Sequence, residues 1–468
     1  MAQAVSLQQL NYRLRKHYNR NPGVPKALVK MSGSGWKSLK RMLVKTLNGQ
    51  EEFISPVVQS LPGAGGPNLT AAIQTSTGLS GTKFKQTTYH RYRTRYEWQW
   101  NAIFQGESGE NVYQQGGDLI QRGLTGTVER VGNNYSMWMY GDGGGAVAKI
   151  DPSTTINIGD TSVTVLLPRS LINFEEAAQD PDTSDFEGGD YAEFSVTKGT
   201  PGTVGTVKPY TSRIIGLDRE TGLMTLETPI PDDGFGAAIV QPGDYIFHRN
   251  MFGKSIEGID SWTPINHSKA FLDVPFHGVT RSSQPQKLAG LAIKISAGQD
   301  AYPQIVKICK RMMISGSKCN TVVVTPEVWE NIQNSMETIG RKLNGTSAAR
   351  PASYTPTKGG GLRYSYELAG GLEFTDYTGN RVLIVPDEYL MDIDQGPSGQ
   401  TLYRGWNDGD LKFNGTIGGS FTWVNLDGVG IVRQHQDQEI VSATYSVQGL
   451  ITHEKPLNGF VASPHVIL

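Results

Sequence analysis

Between positions 91 and 100 apolar and polar residues alternate strictly. Tyr92, Thr94, Tyr96, Trp98 and Trp100 fall on one face of an extended chain, and Arg91, Arg93, Arg95, Glu97 and Gln99 on the other. That spacing predicts a strand with an aromatic face and a basic face. Further on the period lengthens: Ile120, Leu124, Val128, Val131, Tyr135 and Trp138 recur at steps of three and four, one apolar helical stripe. About 24 residues of helix would span ~36 Å. Tyr140-Gly141-Asp142-Gly143-Gly144-Gly145 stops it. These glycines follow a helix, where the dipole repels phosphate, so they read as a turn and not as an anion cradle.

Residues 151–262 return to short strands, expected at Ser162–Leu167, Tyr191–Val196, Arg213–Leu217, Gly222–Leu226 and Asp244–His248. From Gly298 the pattern becomes mixed. Ala301, Ile305, Ile308 and Met312 mark a helix face that ends near Ser315-Gly316, and Thr321–Val324 reads as a buried strand. Thr325-Pro326-Glu327 carries the cap and first-turn proline of a second helix, with Val328, Trp329, Ile332 and Met336 on its apolar side. Strands follow at Val382–Val385, Leu411–Phe413, Phe421–Asn425, Gly430–Arg433 and Ile440–Gln448; the tail from Thr452 is mixed. The fold class is α+β.

Charge changes this picture. Residues 1–96 carry 15 Lys and Arg against two acids, Glu51 and Glu52, whereas residues 97–468 carry 28 against 42. The near-neutral total of −1 therefore hides +13 followed by −14. The basic part has little core of its own. Residues 1–50 are a polar arm, and 54–81 hold no charge and much Gly, Pro, Ser and Thr, which predicts a loop or extended excursion. A basic extension on an acidic body suits either nucleic acid or the body of a neighbouring copy.

Most familiar chemistry is absent. Gly33-Ser34-Gly35-Trp36-Lys37-Ser38 lacks the Gly before Lys and the preceding strand of a phosphate-binding loop. There is no nucleophile elbow, and His453-Glu454 continues into Lys455-Pro456 instead of a zinc motif. Cys309 and Cys319 lack zinc spacing and read as two buried thiols. The acid run Glu175–Asp190 lacks calcium-loop spacing. No signal peptide and no apolar run of membrane-spanning length is present, so cytoplasmic synthesis is expected. No enzyme, cofactor or metal site is expected.

The order of parts resembles the major capsid proteins of tailed phages, which share the Hong Kong 97-type fold. The resemblance is carried by Gln299–Thr338 with Val322-Val323-Val324-Thr325-Pro326-Glu327-Val328-Trp329, by Gly371-Leu372-Glu373-Phe374 followed by Val382–Pro386, by Asp437–Gly449, and by the helix ending at Tyr140-Gly141-Asp142-Gly143. It implies an N-terminal arm over residues 1–53, an E-loop β-ribbon over 54–104, and a spine helix opening the P domain over 105–150. An inserted all-β domain would occupy 151–262, the P domain 263–297, the A domain 298–433, and the P-domain return and tail 434–468.

By that resemblance the chain is a structural shell protein of the virion, made in the host cytoplasm. It would assemble with copies of itself, as hexamers and pentamers, into an icosahedral shell enclosing double-stranded DNA held non-specifically. Portal, scaffolding and decoration proteins are the further partners the family implies, and no membrane. Arg91, Arg93 and Arg95 are then the expected inter-subunit salt bridges, with Tyr96, Trp98 and Trp100 packing beneath a neighbour. Arg13, Arg15, Lys16 and Arg20 would lie on an adjoining subunit or face packaged DNA. Arg341, Lys342, Arg350 and Lys358 would sit near a capsomer axis. Lys83 and Lys85 fall where some relatives cross-link a lysine to a neighbour's asparagine, but no partner or catalytic Glu is identifiable. Two alternatives stand beside the shell. One is a nucleic-acid-binding module using the Arg91–Trp100 strand; the other is a same-fold compartment enclosing protein cargo.

Overall fold

The computed structural model describes residues 43–45, 53–60, 80–86, 90–99, 134, 138–165, 189–199, 207–218, 222–296, 299–325, 328–332, 372–375, 380–387, 390, 402–414, 422–423, 431–435 and 438–468. Strands β1 (Leu43–Lys45), β2 (Phe53–Ser60), β3 (Ser80–Gln86) and β4 (His90–Gln99) come first. Six more follow: β5 (Ala146–Lys149), β6 (Ser162–Thr164), β7 (Tyr191–Ser195), β8 (Thr211–Asp218), β9 (Leu223–Leu226) and β10 (Tyr245–His248). Short helices α1 (Ile259–Trp262), α2 (Lys269–Asp273) and α3 (Pro285–Leu288) lead to β11 (Leu291–Lys294), α4 (Ala301–Ile314) and β12 (Thr321–Val324). The chain continues through β13 (Leu372–Thr375), β14 (Arg381–Pro386), β15 (Tyr403–Trp406) and β16 (Leu411–Asn414). It ends with β17 (Thr422–Trp423), β18 (Ile431–His435), β19 (Gln438–His453) and β20 (Phe460–Ser463). The composition is α+β, divided between two compact units: residues 1–47, 89–136 and 414–449 in one, and 48–88, 137–413 and 450–468 in the other.

In the first unit, the expected alternating strand is β4, paired antiparallel with β19 from Gln99↔Ile440 to His90↔Gly449. β18 and β17 pair with the same stretch of β19, at Ile431↔Ser442 and Thr422↔Thr444. A strand has only two hydrogen-bonding edges, so β4 holds one edge of β19 and β17 and β18 the other. Among the described residues β4 pairs only with β19.

In the second unit, β5 to β10 form one antiparallel sheet in the order β5-β10-β7-β8-β9-β6. A bridge between Ile150 and Val165 joins its first and last strands, so the sheet closes into a six-stranded barrel. Val147, Ile150, Val163, Phe194, Ile214, Met224, Leu226 and Ile246 are buried in it. β8 makes the corner: it pairs with β7 at one end and β9 at the other, with a bulge between Ile214 and Gly216. The chain enters and leaves the barrel side by side. Asp142 bridges Glu257, Gly253 donates its N–H to the Gly144 carbonyl at 2.7 Å, and Gly258 donates to the Gly141 carbonyl at 3.0 Å. A Cβ on Gly258 would lie 2.2 Å from the Met139 carbonyl oxygen, so only glycine lets the two segments meet this closely.

A second six-stranded sheet runs β11-β20-β15-β12-β14-β13. It is mixed: β11 with β20 and β12 with β14 are parallel, the remaining pairs antiparallel. The expected helix is α4, whose buried face is Ala301, Ile305, Ile308 and Met312, packed with Val322, Val324, Ile384 and Phe460. Each such large apolar side chain contributes roughly 1.5–3 kcal/mol by leaving water. The Phe460 ring lies across Gly405, where an added Cβ would come within 2.0 Å of it. Cys309 and Cys319 are buried here without a disulfide, as expected, lining a cavity of about 150 Å³ with Met313 and Lys318. Burial raises the Cys319 thiol well above its ordinary range, so it stays protonated.

Several expectations change. Residues 54–60, expected as part of an uncharged loop, belong to β2, because Phe53, Ser55 and Val57 supply an inward face at a period of two. β5, β11, β15 and β20 were not anticipated. Of the apolar stripe before Tyr140, Trp138 is helical and the chain turns at Met139–Tyr140; the stripe's other residues lie outside the described ones.

Candidate interaction surface

β2 and β3 make a two-stranded ribbon with Ile54 opposite Lys85 and Pro56 opposite Lys83. Alternation sorts its side chains cleanly. Phe53, Ser55, Val57, Phe84 and Gln86 are buried, while Ile54, Pro56, Gly81, Lys83 and Lys85 are exposed. An isolated hairpin is marginal in water, so the inner face has to be held by something else.

Phe84 is the anchor. Its ring meets Trp262 edge-on at 5.1 Å and Phe276 at 6.0 Å, and Trp262 and Phe276 stand perpendicular at 5.1 Å. Val57, Val279 and Leu288 complete the cluster. Hydrogen bonds fix the register against the body. Lys85 donates its backbone N–H to the His277 carbonyl at 3.2 Å, and Gln86 Nε2 and Trp262 Nε1 both donate to the Ile451 carbonyl, at 2.9 and 3.0 Å.

Beneath this cluster lies a chain of buried charges. The Arg281 guanidinium sits 4.3 Å over the Phe276 ring and donates to the Ser261 carbonyl at 2.7 Å. Burial lowers it to about 10, against the attraction of Asp260. Arg404, only 2% exposed, donates to Asp260 at 2.5 Å and to the Thr263 carbonyl at 2.8 Å. His277 Nε2 approaches Glu257 at 2.8 Å without hydrogen-bond geometry. Asp142 pairs with Lys198 at 3.4 Å, and burial raises its carboxyl above the ordinary range despite that lysine. Arg281 and Arg404 are buried, whereas the Asp142–Lys198 pair is partly exposed; held by these contacts, the groups fix local geometry. Among the described residues no group of three or more His, Cys, Asp or Glu is placed to hold a metal, and no helix is long and apolar enough to cross a membrane.

The expected contact residues Arg91, Arg93, Arg95, Tyr96 and Trp98 lie on β4, at alternating positions. In register, Arg91 faces Gln448, Arg93 faces Ser446 and Arg95 faces Thr444, so no acid stands directly opposite an arginine. Trp100, Arg13, Arg15, Lys16 and Arg20 lie outside the described residues, as do Arg341, Lys342, Arg350 and Lys358. The buried network of Asp260, Arg281 and Arg404 was not foreseen. Its members are far apart in sequence, and only Arg404, between Tyr403 and Trp406, carried a local sign of burial.

No protein-family model and no curated protein matches this sequence. Among solved structures the chain is similar to capsids of tailed phages. A cyanophage A-1(L) capsid chain overlaps at 10% identity and a TM-score of 0.42, covering 92% of each chain. The capsid of Myoviridae phage XM1 overlaps at 9% and 0.39, over 90% of this chain and 89% of the other. A virus-like particle from Pyrococcus furiosus overlaps at 7% and 0.34, over 94% and 96%. Overlaps this loose assign no role to any residue.

Proposed function

We propose that this chain is a non-enzymatic major capsid protein that assembles with copies of itself, through hexamers and pentamers, into an icosahedral shell around double-stranded DNA. The single observation that carries the reading is the alternating basic strand β4, held in register against β19. β4 pairs on one side only among the described residues, and its three arginines stand opposite uncharged Gln448, Ser446 and Thr444. Three arginines at alternating positions of one strand suit acidic partners, and the acidic remainder of a neighbouring copy supplies that charge. The sequence resemblance supplies the rest: the arm over 1–53, the E-loop, spine helix, P and A domains, and residues 151–262 as an insertion. Arg91, Arg93, Arg95, Tyr96, Trp98 and Trp100 act as inter-subunit contacts, and Arg13, Arg15, Lys16 and Arg20 lie on a neighbour or against DNA.

Sedimentation velocity of the purified chain, with negative-stain electron microscopy of the fast fraction, tests this. Closed particles tens of nanometres across are expected. A monodisperse monomer at both low and high salt would overturn the reading, and nucleic-acid binding by that monomer would make the basic strand a nucleic-acid platform instead.

A further inference from the structure

One apolar side chain on the described surface stands out. Phe235 is 95% exposed, the highest value among the large hydrophobic residues. It sits at the tip of a small hairpin between β9 and β10, closed by the Asp232–Ala238 bridge and by Asp233 N–H to the Ala237 carbonyl at 2.8 Å. The hairpin is internally tied. Asp232 Oδ1 accepts from the N–H groups of Gly234 and Gly236, both at 2.9 Å, and Asp233 Oδ1 accepts from Phe235 at 2.8 Å and Ala237 at 3.2 Å. Those backbone bonds, Phe235's first, also lower the Asp233 pKa, so its charge persists at neutral pH. A phenyl ring held out in water on an ordered loop loses little conformational freedom on docking, which is how aromatic anchors work.

The same chain carries a complementary face. On the outer side of the β2–β3 ribbon, Ile54, 46% exposed, stands across from Lys85, with exposed Lys83 two pairs further along, opposite Pro56. An apolar residue beside two cations matches an apolar tip beside two carboxylates. We propose that the Phe235 hairpin of one copy docks on the outer ribbon face of a second copy, its ring on Ile54 and Asp232 and Asp233 against Lys83 and Lys85. The contact rests on the shell reading for its setting and adds to it a named pair of surfaces.

Cross-linking decides it. Full-length chains carrying Phe235→Cys and chains carrying Ile54→Cys are co-assembled and treated with a short bis-maleimide; the buried native thiols serve as the unreactive background. A covalent chain pair is expected from the mixture and from neither variant alone. Particles that form from the mixture without that pair would overturn the contact and leave the shell reading standing. A cross-linked pair without closed particles would keep the contact and sink the shell, and wild-type chains that stay monomeric would sink both. As a second measurement, Phe235→Ser and Lys83→Glu/Lys85→Glu chains should keep the wild-type circular dichroism and raise the concentration needed for assembly at least tenfold. Folded variants with an unchanged threshold would also overturn the proposal.

Discussion

Tyr140 donates its hydroxyl to Oδ2 of Asp387 at 2.5 Å, joining residues 247 positions apart, both buried. The tyrosine sits where the chain turns after Trp138 and the aspartate directly after β14, so the bond ties that turn to the end of an inner strand of the mixed sheet. Tyr140→Phe keeps the ring and removes the donor from a carboxylate that is 0% exposed. A loss of about 1–3 kcal/mol is expected, measured as the shift in urea midpoint at constant slope.

Arg404 and Asp260 form a second long-range tie. Arg404→Met removes the buried cation and leaves Asp260 with only the more distant Arg281 for compensation. Breaking a buried pair from one side typically costs 3–5 kcal/mol, and the remaining arginine places this one near the lower end. Joint replacement of Arg404 and Asp260 by apolar residues should recover part of the loss, read in the same unfolding experiment as a double-mutant cycle.

Two histidines make stability depend on acid. His453 is fully buried, neither ring nitrogen has a hydrogen-bond partner, and burial lowers it to about 3. His267 is lowered to about 4, by burial first and then by Arg281. Both folded values lie below the unfolded 6.5, so the unfolded chain binds more protons as pH falls. Stability is complete above pH 6.5 and declines from there toward pH 4 for His267 and pH 3 for His453, by about 2–3 kcal/mol per histidine at pH 4.5. His453→Met should flatten the dependence of the urea midpoint between pH 7 and 4.5; an unchanged slope would remove His453 from this account.

Arg91→Glu/Arg93→Glu/Arg95→Glu reverses the charge of β4. Folded, soluble chains that fail to assemble are expected, with wild-type circular dichroism and no fast-sedimenting fraction. Particles unaltered by the triple change would end the role assigned to β4.

What could be read in advance follows a physical divide. α4 and β12 were legible because Ala301, Ile305, Ile308 and Met312 keep a helical period and three consecutive valines follow Thr321. β4 was legible from its alternation. β15 was not: Tyr403-Arg404-Gly405-Trp406 places a charge and a glycine in a buried strand. Arg404 is tolerated there only because Asp260 lies 144 residues away in sequence, and Gly405 only because Phe460 fills the space above it. β19 was foreseen at its centre but extends from Gln438 to His453, its ends held by cross-strand pairing and not by pattern. Lys83 and Lys85 were noticed as lysines, but their common outward face with Ile54 needed the pairing of β2 with β3.

The barrel's neighbouring ends have one more consequence. Because the segment through Gly144 and the segment through Gly253 are already hydrogen-bonded to each other, the intervening hundred or so residues hang from the body like a pendant on a clasp. Evolution could swap, enlarge or delete such a pendant without rebuilding what carries it, and an engineer could use the same clasp to hang a foreign domain.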